Sequence, residues 1–163
     1  MITLQTLEPN EIAIIMPRVQ DELNARYFYE AAVAFCRTNG YDNAAKYYAN
    51  EAAQENEHYQ KWINFLADWN VNIDFPVIPV PPKFTSLLDI IEQTYGIEYA
   101  LGEAYEQDAV NVFPICQTIY KLMQEFVQIQ NDSVIEANNI ATKAYKYQSI
   151  DPNLVLFESE VFN

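Results

Sequence analysis

The chain has 163 residues and a formal net charge of -14, from 9 basic against 23 acidic side chains. Such a charge repels phosphate backbones and anionic lipid heads, so nucleic acid and membrane surfaces are excluded as partners and cations are favoured. Half of the residues are apolar, 12 Tyr and 9 Phe among them, which is enough for the core of one domain and too much for a disordered chain.

Only 3 Gly occur and Pro falls in clusters, so helix ends are easy to place. Ile12, Ile15, Val19, Leu23, Tyr27 and Ala34 recur at helical spacing. They predict a first helix over about 11–39, closed by Asn39-Gly40-Tyr41-Asp42. A second helix, 43–70, carries Tyr48, Ala52, Tyr59, Trp62, Phe65, Leu66 and Trp69 on one stripe and stops before Pro76. These two form an antiparallel hairpin. Pro76, Pro79, Pro81 and Pro82 cannot be helical, and extended chain at ~3 Å per residue can travel the length of a bundle. Thr85 or Ser86 N-caps a third helix, 85–110, with Leu87, Leu88, Ile91, Tyr95, Leu101 and Tyr105 as its apolar face. A fourth helix, 114–147, begins at Pro114, a residue type favoured in the first turn, and buries Ile115, Ile119, Leu122, Phe126 and Ile129. Asp151-Pro152 ends it, and an apolar tail, 153–163, follows. Two hairpins joined by one long crossover is the connectivity of ferritin-like bundles rather than of an up-down-up-down bundle.

Polar residues interrupt the stripes that ought to be buried. Glu22 shares the apolar face of helix one, and on helix two Glu55 and His58 stand one turn apart beside Ala52 and Trp62. Glu98 falls between Tyr95 and Leu101, and Glu125 and Gln128 sit beside Leu122 and Ile129. Counted from the turn at Gly40, Glu22 is 18 residues before and His58 18 after, so they are level. Counted from Val112, Glu98 is 14 before, and Glu125 and Gln128 are 13 and 16 after. Several buried carboxylates are untenable without positive charge, and only Arg26 is a nearby base, so metal cations are expected. Mixed carboxylate and imidazole ligands suit iron or manganese.

In these residues the chain resembles the ferritins, particularly the prokaryotic non-haem ferritins. The resemblance rests on Glu22 with Tyr29, Gln54-Glu55-Asn56-Glu57-His58, Pro79-Val80-Pro81-Pro82, Thr94-Tyr95-Gly96-Ile97-Glu98 and the tail Asn153-Leu154-Val155-Leu156-Phe157-Glu158. It implies an all-α, ferritin-like four-helix bundle with a short C-terminal helix, one domain over 1–163. By that resemblance Glu22, Glu55 and His58 hold one iron, Glu55, Glu98 and the Glu125/Gln128 pair hold the second with Glu55 bridging, and Tyr29 is a one-electron donor beside them. The implied reaction is oxidation of Fe(II) by O2 or H2O2, with storage of Fe(III) as mineral in a self-associated cage of 24 subunits. Bacterioferritins bind haem through a Met immediately after the bridging Glu; that position is Asn56, so no haem is expected. The last ligand pair is Glu125-Phe126-Val127-Gln128, where relatives have Gln-x-x-Glu or Glu-x-x-His, which weakens the second iron. Gln54 and the reduced acidic run after the fourth-helix pair put the extra inner-surface iron site of some relatives in doubt.

Cys36 and Cys116 stand in no disulfide or metal-ligand pattern, and neither a signal peptide nor a run of about 18 apolar residues is present, so a cytoplasmic protein is expected. Two other readings stay open: a ferritin-like di-metal oxidoreductase without storage, and a non-catalytic bundle whose site has decayed.

Overall fold

In a computed structural model, which describes residues 2–163, the chain forms α1 (Pro9–Thr38), α2 (Asp42–Asp68), α3 (Leu87–Val112), α4 (Gln117–Tyr147) and the short α5 (Val155–Val161). No strand occurs among the described residues, and α1 packs on α2 as α3 packs on α4. The fold is therefore the all-α bundle of two hairpins that the periodicity predicts, with the short C-terminal helix that the resemblance implies. No helix among the described residues is long and apolar enough to cross a membrane.

Local chemistry sets the helix ends. Pro9 opens α1 where a missing N–H costs nothing, and the Glu11 carboxylate accepts from the Glu8 N–H at 2.8 Å. Pro17, inside α1, deprives the Ala13 carbonyl of its helical donor; both residues are exposed, so solvent is the available partner. Gly40 takes φ 78°, the left-handed conformation that glycine tolerates best, and Tyr41 N–H closes on the Cys36 carbonyl at 2.9 Å. Ser86, rather than Thr85, caps α3: its Oγ accepts from Asp89 N–H at 3.0 Å, and the Asp89 carboxylate accepts from Thr85 N–H at 2.8 Å. The fourth helix starts at Gln117 instead of Pro114. Because α3 continues to Val112, whose carbonyl accepts from the Ile115 and Cys116 N–H groups at 2.9 Å, Pro114 belongs to the turn.

The crossover between α2 and α3 is pinned to α1 by one amide. Gln20 Oε1 accepts from Val77 N–H at 3.0 Å, and its Nε2 donates to the Val77 carbonyl at 2.9 Å. At the other end, the Glu158 carboxylate of α5 accepts from the N–H groups of Asn43 and Ala44, at the α2 N-terminus where the helix dipole favours an anion. Replacing Glu158 with Gln is expected to cost about 1 kcal/mol, or roughly 2–4 °C of Tm. Amide exchange over 155–161 should quicken with it; unchanged exchange there would mean that the packing of Phe157 alone holds α5.

The core is in two parts. One cluster contains Phe28, Tyr29, Tyr48, Ile91, Ala141 and Phe157, the other Ile15, Val19, Trp62, Leu66, Tyr105 and Phe126. On each long helix a polar residue lies between the two: Glu22, Glu55, Glu98 and Gln130, none more than 4% exposed.

Candidate metal centre

The hairpin of α1 and α2 brings Glu22, Glu55 and His58 together, each offering a ligand atom within 4.8 Å of the others. Equal distance from the Gly40 turn is what levels Glu22 with His58. His58 Nδ1 lies 3.3 Å from Glu55 Oε2 and 3.4 Å from Glu22 Oε2. The second contact is at ion-pair distance without hydrogen-bond geometry, so Glu22 Oε2 is a fully buried carboxylate oxygen with no hydrogen-bond partner. A buried oxygen left in that condition costs stability unless a ligand completes it.

From α3, Glu98 enters the same layer with both oxygens engaged, Oε1 accepting from the Tyr29 hydroxyl and Oε2 from Gln130 Nε2. Gln130 also donates to the Glu98 carbonyl at 3.1 Å. Glu22 Oε1 accepts from the Tyr105 hydroxyl, which in turn accepts from Trp62 Nε1 at 2.9 Å.

The electrostatics of the layer follow from burial and like charge. Burial, with Glu22 and Glu98 nearby, pushes Glu55 well above the usual carboxylate range, although His58 pulls the other way. Burial also raises Glu98, against the hydrogen bonds from Tyr29 and Gln130. For His58, burial opposes protonation, but the Glu22 and Glu55 carboxylates outweigh it and push the imidazole up to about 10. Glu51, one turn before Glu55, is pushed up to about 7, by burial first and then by Glu136 and Glu98. Tyr29 and Tyr105 are raised well above the ordinary phenol value by burial and then by the carboxylates they touch, so both stay protonated. Three buried carboxylates against one imidazole leave a negative excess that a cation can neutralise, and oxygen ligands with one imidazole are a donor set for iron or manganese.

Two of the sequence-predicted residues are not brought to this layer. The Glu125 side chain is 59% exposed and pairs with Lys61 at 2.6 Å, and Gln128 donates to Asp132 at 3.3 Å on the exposed side of α4. Helical phase is the reason. The buried stripe of α4 runs through Ile119, Leu122, Met123, Phe126, Gln130 and Ala137, so Gln130 is the inward polar residue. Gln128, two residues earlier, is roughly 200° away around the helix. Gln130 could have been found as the polar residue one turn after Phe126. Tyr105, also outside the predicted set, was marked by spacing: Tyr29 follows Glu22 by seven residues, and Tyr105 follows Glu98 by seven.

Fold and site together define a four-helix bundle with a long crossover and a carboxylate–imidazole layer buried within it. A family model described as a ferritin-like domain matches residues 12–144, and the chain belongs to that family. It is 31% identical over 97 residues to the bacterial non-heme ferritin of Staphylococcus saprophyticus subsp. saprophyticus, covering 59% of this chain and 53% of that protein. To the bacterial non-heme ferritin of Staphylococcus aureus (strain USA300) it is 26% identical over 106 residues, covering 58% of this chain and 64% of that one. The matched segments thus span between half and two thirds of these relatives. Among solved structures, an engineered closed form of the Archaeoglobus fulgidus ferritin aligns with TM-score 0.86 at 15% identity, over 95% of this chain and 96% of that one. A humanized archaeal ferritin aligns with TM-score 0.87 at 16% identity, over 95% of each chain. At these identities the structures attest the fold.

Proposed function

We infer that this protein is an iron-storing ferritin that oxidises Fe(II) at its mid-bundle layer and keeps the Fe(III) in a cage of its own copies. The observation that carries the reading is the unpartnered, buried Glu22 Oε2 facing Glu55 and His58 inside a bundle of the ferritin-like family. Glu22, Glu55 and His58 receive one Fe(II), and Glu55, Glu98 and Gln130 the second, with Glu55 between them. Each Fe(II) gives one electron: two Fe(II), O2 and two protons yield two Fe(III) and H2O2, and H2O2 with two further Fe(II) and two protons yields water. Paired ions let the oxidant take both electrons in one encounter, and protein-free coordination positions admit it. In this reading Tyr29, a protonated phenol on Glu98 stacked against Tyr48, is the one-electron donor beside the pair. Gln130 supplies a neutral amide where a carboxylate would add charge, so the second ion is held more weakly than the first.

Storage asks for a closed shell. Phe75, Val77, Ile78 and Val80 on the crossover are 64–94% exposed, a run of apolar side chains that a neighbouring copy would cover. A cage of 24 subunits accords with the family.

The test is Fe(II) added anaerobically to the apoprotein, then air, with absorbance and particle size followed together. Rapid oxidation of about two Fe(II) per chain in a large particle, retained when Glu125 and Gln128 are both changed to Ala, is the expected result. A small particle with rapid oxidation would favour a di-metal oxidoreductase without storage, and no acceleration over buffer would favour a decayed site.

A further inference from the structure

The layer is built on a repeated spacing, Glu22 with Tyr29 on α1 and Glu98 with Tyr105 on α3. Seven residues are about two helical turns, ~10.5 Å of rise, so on each helix the Tyr shares a face with its Glu, displaced along the axis. The hydrogen bonds cross between the helices: Tyr29 donates to Glu98 and Tyr105 donates to Glu22. In both pairs the residue numbers add to the same value, as antiparallel register requires. Each buried Glu is therefore gripped by a Tyr from the opposite helix, and the second grip, on Glu22, has no place in the resemblance that identified Tyr29.

Tyr105 has little freedom to do anything else. It is fully buried, its ring stacks on Phe126 at 5.0 Å with 2° between planes, and Trp62 lies parallel at 6.5 Å. The Trp62 N–H occupies one side of its hydroxyl as a donor, so the phenolic proton goes to Glu22 Oε1. That leaves Oε2 as the free oxygen of Glu22, and Oε2 is the one facing His58 and Glu55.

We propose that Tyr105 is a positioning residue for the first iron: by holding Glu22 Oε1 it makes Glu22 a one-oxygen ligand and keeps a coordination position open for the oxidant. Tyr29 likewise holds Glu98 Oε1 at the second iron, where Glu98 Oε2 is shared with Gln130 Nε2. Without the Tyr105 hydroxyl, Glu22 is free to turn, to bind with both oxygens or to leave the ion. The proposal rests on the two-iron reading above and predicts something that reading does not, namely that the two tyrosines act on different ions.

Anaerobic titration with Co(II), which stays divalent and reports its coordination through ligand-field absorption, tests this without turnover. The wild-type protein should take up two Co(II) per chain. Tyr105→Phe, which keeps the stacked ring, should weaken one binding step by about 10-fold and alter only that step's spectrum, the scale typical when a group orienting a ligand is lost. Tyr29→Phe should weaken the other step. Because Tyr105→Phe strands the Trp62 N–H, the double variant Trp62→Phe/Tyr105→Phe, which removes both groups, should show the same Co(II) defect. Unchanged affinity and spectrum in Tyr105→Phe, or equal weakening of both steps by either Tyr variant, would overturn the assignment. Absence of paired Co(II) uptake by the wild type would instead overturn the two-iron reading, and this proposal with it.

Discussion

Changing Glu55 to Gln should make the metal-free protein more stable while abolishing its stabilisation by divalent metal. In the apo layer Glu55 faces Glu22 and Glu98, and burial with their like charge outweighs the attraction of His58. An isosteric amide removes one of three buried carboxyls without leaving a cavity, so a rise of several degrees in Tm is expected. The same change removes the group that the proposed site shares between its two ions. A metal at about 100 times its Kd stabilises a protein by ~2.7 kcal/mol, and that increment should vanish, with Fe(II) oxidation slowed by more than about 10-fold. The measurement is Tm with chelator and with Co(II), beside the oxidation rate. A variant destabilised without metal yet still stabilised by it would show that Glu55 is structural. The gain in stability with loss of function is the pattern of a site that carries strain for the sake of its ligand.

Metal-free stability should also fall as pH rises from 5 to 8. Glu55, Glu98 and Glu51 all have folded pKa values above the ordinary value near 4.3, so the folded protein binds more protons than the unfolded chain in the window above it. Stability falls with pH wherever the folded state binds more protons. For Glu51 that window closes at about 7. His58 acts in the same direction: its contribution is whole below the ordinary value near 6.5 and is lost as pH climbs toward about 10. Bound metal should flatten the profile, because it favours ionised carboxylates and a neutral imidazole. Thermal melts in chelator at pH 5, 6, 7 and 8 check this, and Glu55→Gln should show a shallower slope than wild type. A flat wild-type profile would mean that the carboxyls are solvated in the apo protein.

The sequence made the bundle legible because its punctuation is strong and its stripes are long. Gly40 and the prolines of 76–82 could be read as turn and crossover without ambiguity, and counting from Gly40 put Glu22 level with His58. The second hairpin was harder. Pro114 is favoured in a first helical turn, yet it lies in the turn that follows Val112, and a helix start displaced by three residues shifts which α4 residue stands level with Glu98. Glu125 and Gln128 looked acceptable as ligands because they carried the expected chemistry on the shoulder of the stripe, whereas Gln130, on the stripe itself, is an amide that composition alone does not mark. Tyr105 differs again: it reads as one more apolar member of the α3 face, and its one mark in the sequence, the seven-residue spacing after Glu98, gains a meaning only from its hydrogen bond to Glu22.

The proposed layer holds two iron ions with Glu55 between them. A crystal soaked anaerobically in Fe(II), with anomalous differences recorded at the iron edge, tests it most directly. Two peaks roughly 3.5–4 Å apart are expected, one against Glu22, Glu55 and His58 and the other against Glu55, Glu98 and Gln130, with the second weaker. A single peak at the exposed Glu125, or none within the bundle, would contradict it.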